Sequence, residues 1–576
     1  MNLSPEDKAI GKENFHAAIG SELTRREFLQ GSIAAASVGG IGLGAHYFAY
    51  QKVNDPVRVG FIGTGDEGSV LIGAHTPDYV QIVAIADIRP YNIHRAFHGD
   101  VEALGVRPGL MTKYGWSSEE QARKNVKVYD KDYHDLLKDS DVEAVIIALP
   151  LHLHAQVAIE AMRAGKHVLT EKLMGHSVHE CKEMARVSEQ TKLLLATGHQ
   201  RHYSILYDNA VESIKQNLIG GLHHIRAQWH RGNKPGKDSW QQPLPGEAMQ
   251  KELAVLEKKR DDAAEGSDTK RLEDLNKQVA ATKARLLDMA LSEKEITAHG
   301  YQEKRLYDPA GKQAYVCSPL EELIRWRLWD RTGGGLMAEL GSHQLDAASI
   351  FVSADYERAL GKKMKIMPLT VSAVGGRHIF PLDREAEDHV YCTYEFPAPE
   401  YYKDIEKKVL GDADKKIVVT YSSINGNGFG GYGETVLGLD GTLILEREQD
   451  VMLFPGSSQN MNITVTKAKG DGAPTLSTTD SGGSPTAAVG KQGLETGPIS
   501  RGYTEEMEHF AWCVRNPGPE NKPRCHPKVA LGDAVIALTT NIAMKQRQQI
   551  DFKPEWFDID SDETPEKVKP DLSRYT

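Results

Sequence analysis

Short apolar runs alternate with longer amphipathic stretches between Val57 and His199. The runs are bounded by glycine or polar residues, so they predict buried β-strands. They are Val57–Ile62, Val80–Ala86, Val126–Tyr129, Ala144–Leu149, His167–Leu169 and Leu193–Ala196. Between them, 155–164 and 178–190 have the spacing of helices. This alternation is typical of an α/β fold with a doubly wound parallel sheet, which we place at residues 56–199.

A second pattern fills residues 200–552, where longer strands lie between a few helices. Tyr203–Leu218 predicts a helix and His223–His230 predicts a strand. Further strands are predicted at Thr370–Val374, His389–Phe396, Lys416–Tyr421 and Thr435–Glu446, with a hairpin turn at Asp440-Gly441. Helices are predicted at Tyr503–Arg515 and Pro527–Lys545, a mobile loop at 467–500 and a C-terminal tail at 553–576.

A charged stretch at about 233–320 interrupts this second pattern. Its leucines and valine recur at helical spacing on two arms, and 265–268 supplies a turn and a helix cap. They are Leu253 and Leu256 on one arm, and Leu272, Leu275, Val279 and Leu286 on the other. We predict a helical hairpin. It packs on its own domain or on a neighbouring subunit, or it forms a lid over an active site.

The N-terminal residues 1–55 carry a targeting pattern. Arg25 and Arg26 precede a mildly apolar stretch rich in glycine, alanine and serine, 31–50. A twin-arginine export signal has this form, and it predicts a periplasmic protein. The alternative is an amphipathic N-terminal helix. The stretch is long enough to span a bilayer but is interrupted by His46, and no cleavage motif follows, so an uncleaved membrane tether stays open.

Composition narrows the function classes. With 576 residues the chain is too long for one core, so two domains are expected. The net charge of −11 and the lack of a basic block argue against nucleic acid as a partner. The five cysteines are dispersed and form no C-x-x-C pair. Neither His152 with His154 nor the adjacent 223–224 pair has good ligand spacing on a helix, so no metal is expected.

The glycine turn after the first strand carries the most specific chemistry. Val57–Ile62 runs into Gly63, Thr64, Gly65, Asp66, Glu67 and Gly68. In a dinucleotide-binding turn the first glycine permits the turn, the second admits the pyrophosphate and the third lets the helix approach the strand. Asp87 ends the next strand, where a carboxylate accepts the adenosine ribose hydroxyls and repels a 2′-phosphate. We therefore predict NAD rather than NADP, a preference that Arg89 weakens.

The stretch A-V-I-I-A-L-P-L-H-L-H-A-Q-V-A-I-E-A-M-R-A-G-K-H-V-L-T-E-K-L-M-G-H-S-V, 144–178, resembles the Gfo/Idh/MocA family of oxidoreductases. The resemblance implies a Rossmann domain followed by an α+β domain with a large, mixed, mainly antiparallel sheet. It places Lys172 beside the nicotinamide and the substrate hydroxyl, Glu171 near the nicotinamide ribose and His154 in a loop over the cofactor. Leu149 and Pro150, at the end of the fourth strand, are also expected at the cofactor. Leu173 stands where the family usually has proline.

A second motif, G-G-G-L-M-A-E-L-G-S-H-Q-L-D at 333–346, resembles the family's glycine-rich entry to a helix with a catalytic histidine. That histidine is His343. In a helix, Glu339, His343 and Asp346 share one face, so either carboxylate could orient the imidazole and raise its basicity. Lys172 and His343 would then handle the hydroxyl proton as hydride leaves. Asp346 could instead be purely structural.

The function predicted is hydride transfer between NAD and a secondary alcohol of a sugar, cyclitol or glycoside. Polar and flat side chains predicted to contact the substrate are Arg201, Tyr203, Trp229 and Arg231. Because free NAD is scarce outside the cytoplasm, the leading alternative is a glycosidase or sugar–sugar oxidoreductase that retains its NAD(P) tightly. Two other classes stay open: a non-catalytic sugar-binding protein, and a structural subunit organised by the insertion. A homo-oligomer is expected.

Overall fold

The computed structural model describes residues 3–22, 50, 52–103, 105–266, 268–456, 462–466, 475–479, 501–567 and 570. The strands are β1 Val57–Ile62, β2 Val80–Ala86, β3 Lys127–Tyr129, β4 Ala144–Ile147, β5 His167–Glu171, β6 Leu195–Gly198, β7 Leu222–His230, β8 Lys304–Tyr307, β9 Gln313–Cys317, β10 Thr370–Gly376, β11 His389–Pro397, β12 Tyr402–Asp404, β13 Val409–Leu410, β14 Lys416–Ile424, β15 Tyr432–Gly438, β16 Gly441–Glu446, β17 Asp450–Pro455, β18 Asn462–Thr466, β19 Thr475–Thr479 and β20 Ile550–Asp551.

The α-helices are α1 Pro5–Glu22, α2 Asp66–Ala74, α3 Pro90–His98, α4 Gly109–Tyr114, α5 Glu119–Asn125, α6 Tyr133–Leu137, α7 His154–Arg163, α8 Val178–Thr191, α9 Ile205–Lys215, α10 Glu247–Ala264, α11 Thr269–Leu286, α12 Glu293–Ala298, α13 Pro319–Ile324, α14 Asp330–Gly333, α15 Ser342–Leu360, α16 Tyr503–Arg515 and α17 Pro527–Gln546. A π-helical turn, Met337–Gly341, leads directly into α15.

The first domain is built on a six-stranded parallel sheet with the order β3-β2-β1-β4-β5-β6. The strand order reverses between β1 and β4, and ligands of such sheets bind at this switch point, beyond the carboxyl ends of the strands. All four residues of β4 are buried, as expected of a strand covered by helices on both faces. The predicted doubly wound fold is confirmed.

The second domain is built on an eight-stranded sheet with the order β17-β16-β15-β7-β14-β11-β10-β20. Only β7 and β14 pair in parallel, and the other neighbours are antiparallel. Strand β14 alternates between half-buried and buried positions, the pattern of a sheet with one face on a core. That core includes α15, whose Phe351 and Val352 are fully buried. The predicted mixed sheet is confirmed.

The insertion folds as predicted into a helical hairpin, α10 and α11, closed on itself by Leu256, Leu275 and Val279. It lies on the first domain. In the short turn after α11, Asp288 accepts hydrogen bonds from Arg89 Nε at 2.8 Å and from the backbone N–H of Tyr91 at 2.9 Å. Because Asp288 is 1% exposed, this contact ties the hairpin to the residues that follow the predicted ribose-binding aspartate.

Both chain ends contribute more than their predicted roles as signal and tail. Helix α1 packs Phe15 and Ala18 into the core of the second domain. Near the C-terminal end, three backbone oxygens accept hydrogen bonds from Lys182 of α8. They belong to Glu555, Ser561 and Glu563. The twin-arginine pair lies outside the described residues. Most of the predicted 467–500 loop does too, and its described part is strand β19. Over the described ranges, no helix has the length and apolarity needed to cross a bilayer.

Candidate active site

The backbone angles and the free space at the three glycines of the first turn fit the separate roles predicted for them. Gly63 has a φ of 90°, which favours glycine. A Cβ on Gly68 would collide with the carbonyl oxygen of Gly63, so the third glycine allows α2 to pack on β1. A Cβ on Gly65 would meet only Asn92 Nδ2, at 3.8 Å. The open side at Gly65 is the approach that a pyrophosphate requires, at the N-terminus of α2.

Asp87 follows the end of β2, and three N–H groups donate to its carboxylate. Oδ2 accepts from the backbone N–H of Thr64 at 2.8 Å and from Asn92 Nδ2 at 3.0 Å, and Oδ1 accepts from the backbone N–H of Arg89 at 2.9 Å. Burial raises the pKa of Asp87, while the N–H donors of Arg89 and Thr64 lower it. The Arg89 side chain, predicted to weaken a preference for NAD, is ion-paired with Asp288 of the insertion.

A cavity of about 660 Å³ joins the glycine turn to Lys172, a volume in the range of cofactor pockets. Nine of the twelve predicted cofactor residues line it. They are Gly63, Gly65, Glu67, Asp87, Arg89, Leu149, Pro150, Glu171 and Lys172. Buried Oε1 atoms of Glu67 and Glu171 have no hydrogen-bond partner among the described residues. The open glycine turn and these orphaned oxygens fit an extended polar ligand, so the residues present fit a dinucleotide.

The insertion supplies one wall of this cavity. Ala298, His299, Gly300 and Tyr301 all line it. Tyr301 is 3% exposed and belongs to an apolar cluster that Ile88, the residue after Asp87, packs against. The segment after the hairpin therefore covers the cleft near Asp87, where the adenosine is predicted to bind.

Lys172 and Glu339 meet at the other end of the cavity. Lys172 Nζ donates to the backbone oxygen of Glu339 at 2.8 Å and lies 3.9 Å from Glu339 Oε2. Arg327 Nε donates to Glu339 Oε1 at 2.6 Å. Burial alone would raise the pKa of Glu339, but Arg327 and Lys172 lower it to about 2. The carboxylate is therefore ionised and fixes the lysine at the carboxyl end of β5. The peptide bond from Lys172 to Leu173 is cis.

His343 lies in the first turn of α15, near Lys172, but without the carboxylate partner that was predicted. Glu339 is engaged by Arg327 and Lys172, and Asp346 Oδ1 accepts from His202 Nε2 at 2.8 Å. Glu339 stays with Arg327 and Lys172 because a cation attracts a carboxylate more strongly than a neutral imidazole does. Asp346 is engaged by another histidine, His202, instead of His343. His343 Nδ1 has no hydrogen-bond partner within the part of the chain described.

The environment of His343 favours a neutral ring. Burial lowers the pKa of His343 well below its usual value, and the nearby Lys172 ammonium lowers it further. The Trp229 ring centroid is 5.5 Å away. A neutral imidazole can accept a proton, so His343 keeps the chemical capacity of a general base near Lys172.

His154 has a different role from the predicted one over the cofactor. It does not line the cavity. Its Nδ1 lies 2.8 Å from the carbonyl oxygen of Leu173, and its Nε2 lies 2.8 Å from that of Leu149. His154 therefore joins the loop after β4 to the loop after β5. A neutral imidazole has one N–H, so the ring donates to one of these two oxygens, and its position between the two loops supports Lys172 from behind.

Two of the four predicted substrate residues are committed elsewhere. Arg201 is 2% exposed, and its guanidinium donates to Glu434, Glu448 and the backbone oxygen of His343. Tyr203 is 1% exposed, and its hydroxyl lies 2.9 Å from His509 Nδ1. Neither can contact a substrate, because a fully buried side chain has no surface to offer one. Arg201 instead fixes the backbone of His343.

Trp229 and Arg231 remain available at the end of β7. Trp229 stacks on Tyr432 with ring centroids 4.4 Å apart. The Arg231 guanidinium lies 5.6 Å from the Trp229 ring centroid. Burial lowers the pKa of Arg231, and Glu339 partly opposes that effect. These side chains form an aromatic and cationic surface near Glu339, which suits a hydroxylated ligand.

Several residues of this site carry no signal in the sequence. Asp66, at the start of α2, pairs with Arg95 at 2.8 Å and with Arg327 at 3.5 Å. Arg327 lies in the second domain, so its place beside the glycine turn follows from domain packing alone. The acidic pair 66–67 in a phosphate-binding turn could have indicated that basic partners were needed. Tyr301, inside the insertion, had no such indicator.

Comparison with known proteins agrees with the geometry of the first domain. Residues 57–199 match the sequence profile of a family described as an oxidoreductase family with an NAD-binding Rossmann fold, GFO_IDH_MocA. This domain belongs to that family. The match ends one residue after β6, so the second domain lies beyond it.

Individual relatives are similar to this chain over limited stretches. A glycosyl hydrolase family 109 protein of Shewanella baltica (strain OS195) is 29% identical over 180 residues, which cover 30% of this chain and 35% of the relative. An uncharacterized oxidoreductase of Schizosaccharomyces pombe is 34% identical over 150 residues, which cover 26% and 40%. The matches thus span about a third to two fifths of these relatives. A levoglucosan dehydrogenase in complex with NADH aligns with a TM-score of 0.49 at 15% identity, over 87% of this chain and 100% of that one.

Proposed function

We propose that the chain is an NAD-dependent oxidoreductase that transfers hydride between the cofactor and a secondary alcohol of a sugar, cyclitol or glycoside. One observation carries the proposal. A single cavity runs from the ribose-binding position at Asp87 to the ammonium of Lys172 beside Glu339. A bound nicotinamide would supply the hydride acceptor or donor at the Lys172 end.

The side chains around Lys172 divide the remaining work. The Lys172 ammonium donates to the substrate oxygen and stabilises negative charge that develops there. Glu339 and His154 keep that ammonium in place from two sides. His343, neutral because burial and Lys172 lower its pKa, accepts the hydroxyl proton. Trp229 and Arg231 provide the surface on which the carbohydrate ring rests.

The test compares Lys172→Met with Lys127→Met, which removes an exposed lysine from the same sheet. Both purified variants are loaded with NAD and screened against secondary alcohols of sugars, cyclitols and glycosides. Lys172→Met should lower kcat/KM by about 100-fold or more, the loss expected for a polarising or proton-transfer group, while Lys127→Met should match the wild type. Full turnover in a Lys172→Met variant that binds NADH would refute the role of Lys172, and no turnover of any of these alcohols by NAD-loaded wild type would favour a non-catalytic sugar-binding protein.

A second candidate function is a glycosidase or sugar–sugar oxidoreductase that retains its dinucleotide. The wall formed by Ala298–Tyr301 favours it, since it covers the adenosine end and leaves the Lys172 end to exchange substrates. The similarity of 180 residues of the chain to a glycosyl hydrolase family 109 protein also favours it. Denaturing the protein as purified and measuring released NAD by mass spectrometry, followed by glycoside cleavage assays without added cofactor, separates the two candidates.

We also propose periplasmic export through Arg25 and Arg26, and a homo-oligomeric protein. Replacing both arginines by lysine should leave the full-length chain in the cytoplasm of a bacterial host. Wild-type protein found only in the cytoplasm would reject export. Light scattering of the purified protein measures the number of subunits.

A further inference from the structure

Four ligand-type side chains converge behind the helix that carries His343. His199 follows β6, Asp346 lies on α15, Cys525 precedes α17 and Asp533 lies on α17. Each is at most 1% exposed. One nitrogen of His199, the Cys525 sulfur and one Asp533 oxygen lie within 4.8 Å of one another. Asp346 Oδ2 lies 3.7 Å from His199 Nδ1, and an Asp346 oxygen lies within 4.8 Å of one from Asp533.

The two carboxylates are each anchored by one oxygen. Asp346 Oδ1 accepts from His202 Nε2 at 2.8 Å, and Asp533 Oδ1 accepts from Lys365 Nζ at 2.5 Å. The other oxygen of each, Oδ2, has no hydrogen-bond partner among the described residues, and neither ring nitrogen of His199 has one. Buried polar atoms nearly always have partners. Here four polar atoms without partners lie beside a thiol, and His202 and Lys365 fix the two carboxylates from outside. Metal ligands and the residues that support them have this arrangement.

A shared proton is the simplest alternative explanation. Burial raises the pKa of Asp533 well above its usual value, so a protonated Asp533 could donate to Asp346. That proton would satisfy the two carboxylate oxygens. It would leave both nitrogens of His199 without a partner, whereas a cation among the four side chains would engage His199 and Cys525 as well.

We propose that His199, Asp346, Cys525 and Asp533 bind one zinc ion. Nitrogen, oxygen and thiolate ligands in a closed four-coordinate shell are typical of structural zinc. With the Cys525 thiolate and two carboxylates balanced by Zn²⁺ and the Lys365 ammonium, the site is neutral, as a buried site should be. Zinc bonds of 2.0–2.3 Å require donors about 3.3–3.8 Å apart, so the shell closes with small side-chain shifts.

This site would tie the end of β6 to α15 and α17, and so hold the His343 helix against the first domain. It differs from the expectation of no metal, which rested on histidine pairs close in sequence. The four ligands are spread from 199 to 533, so no spacing motif could indicate them. Activity need not depend directly on the ion, because the ligands lie behind His343 rather than in the cavity.

The test measures metal content in the full chain, purified without chelator or added metal and then dialysed with zinc chloride. Elemental analysis should give about one zinc per chain. Cobalt exchange should give a cobalt–thiolate charge-transfer band in the near ultraviolet. Cys525→Ser should lose this band and retain about one tenth of the zinc or less. Cys181→Ser, which alters another buried cysteine, should keep both.

The zinc content and the cobalt spectrum can each contradict the proposed site. Less than about one tenth of an equivalent of zinc in the dialysed wild type would overturn the proposal, as would full zinc content in a folded Cys525→Ser variant. If Cys525→Ser does not fold by circular dichroism, the wild-type cobalt spectrum decides. A thiolate band retained in Cys181→Ser supports the site, and its absence from the wild type refutes it. Neither result depends on the proposed dehydrogenase activity.

Discussion

Replacing Asp87 by asparagine should change the choice between NADH and NADPH. The carboxylate lines the cavity and ends the second strand. Donors from Thr64, Asn92 and Arg89 hold it in one orientation. The change keeps its shape and removes its charge. One of the three N–H donors then faces an amide NH₂ instead of an oxygen, so melting temperatures should accompany every binding measurement.

The magnitude follows from two contributions. A hydrogen bond to a carboxylate is worth about 1.5–3 kcal/mol and one between neutral groups about 0.5–1.5, so NADH should lose about 1 kcal/mol of binding free energy. A 2′-phosphate about 4 Å from the carboxylate would be repelled by roughly 1–4 kcal/mol per unit charge, depending on the local dielectric. Removing that repulsion favours NADPH. Together the two effects should shift the ratio of the dissociation constants by about 3 kcal/mol, or about 100-fold.

The assay is titration of NADH and NADPH into wild type and Asp87→Asn, followed by nicotinamide fluorescence at two salt concentrations. Asp66→Asn is the matched control because Asp66 lies in the same turn, near the pyrophosphate that both cofactors share. It should alter both affinities equally. An unchanged ratio in a folded Asp87→Asn protein would refute the placement of the adenosine ribose at Asp87, and so would a shift as large in Asp66→Asn.

Two further predictions concern the insertion and the stability of the fold. Asp288→Asn removes the ion pair with Arg89. Losing one charge-assisted bond should make NADH dissociate about tenfold faster in stopped-flow experiments. An unchanged rate would mean that the insertion does not retain the cofactor. Burial raises the pKa of Glu508 from 4.5 to about 7, so the wild type should lose up to about 3 kcal/mol of unfolding free energy as the pH rises through that interval. Glu508→Gln should flatten this loss in urea titrations at about pH 5 and about pH 8, and an equal slope in both proteins would reject the assignment.

Local patterns were enough to predict the first domain. The bounds of β1 and β2 follow directly from apolar runs that end in a glycine turn and in Asp87. Each strand is short, continuous and buried, so hydrophobicity and chain breakers determine it without information from distant residues. The hairpin of the insertion was predictable for the same reason, because Leu256, Leu275 and Val279 pack only within it.

Residues brought together by packing between domains were not predictable. Arg327 and Lys172 are far apart in sequence, yet both contact Glu339. That competition displaced the predicted pairing of Glu339 with His343. Arg201 shows the same limit: polarity suggested an exposed substrate contact, but buried Glu434 and Glu448 engage its guanidinium. A single sequence shows the polarity of a side chain but does not show which residue it will pair with in the fold.

A crystal structure of the chain with NADH would show directly whether a dinucleotide occupies the cavity with its nicotinamide beside Lys172. We expect the adenosine ribose hydroxyls on the Asp87 carboxylate and the pyrophosphate over Gly65. The nicotinamide ring should lie next to Lys172, with His343 across the substrate space. Density that places the nicotinamide away from Lys172, or a cavity that excludes the nucleotide at saturating concentration, would contradict it.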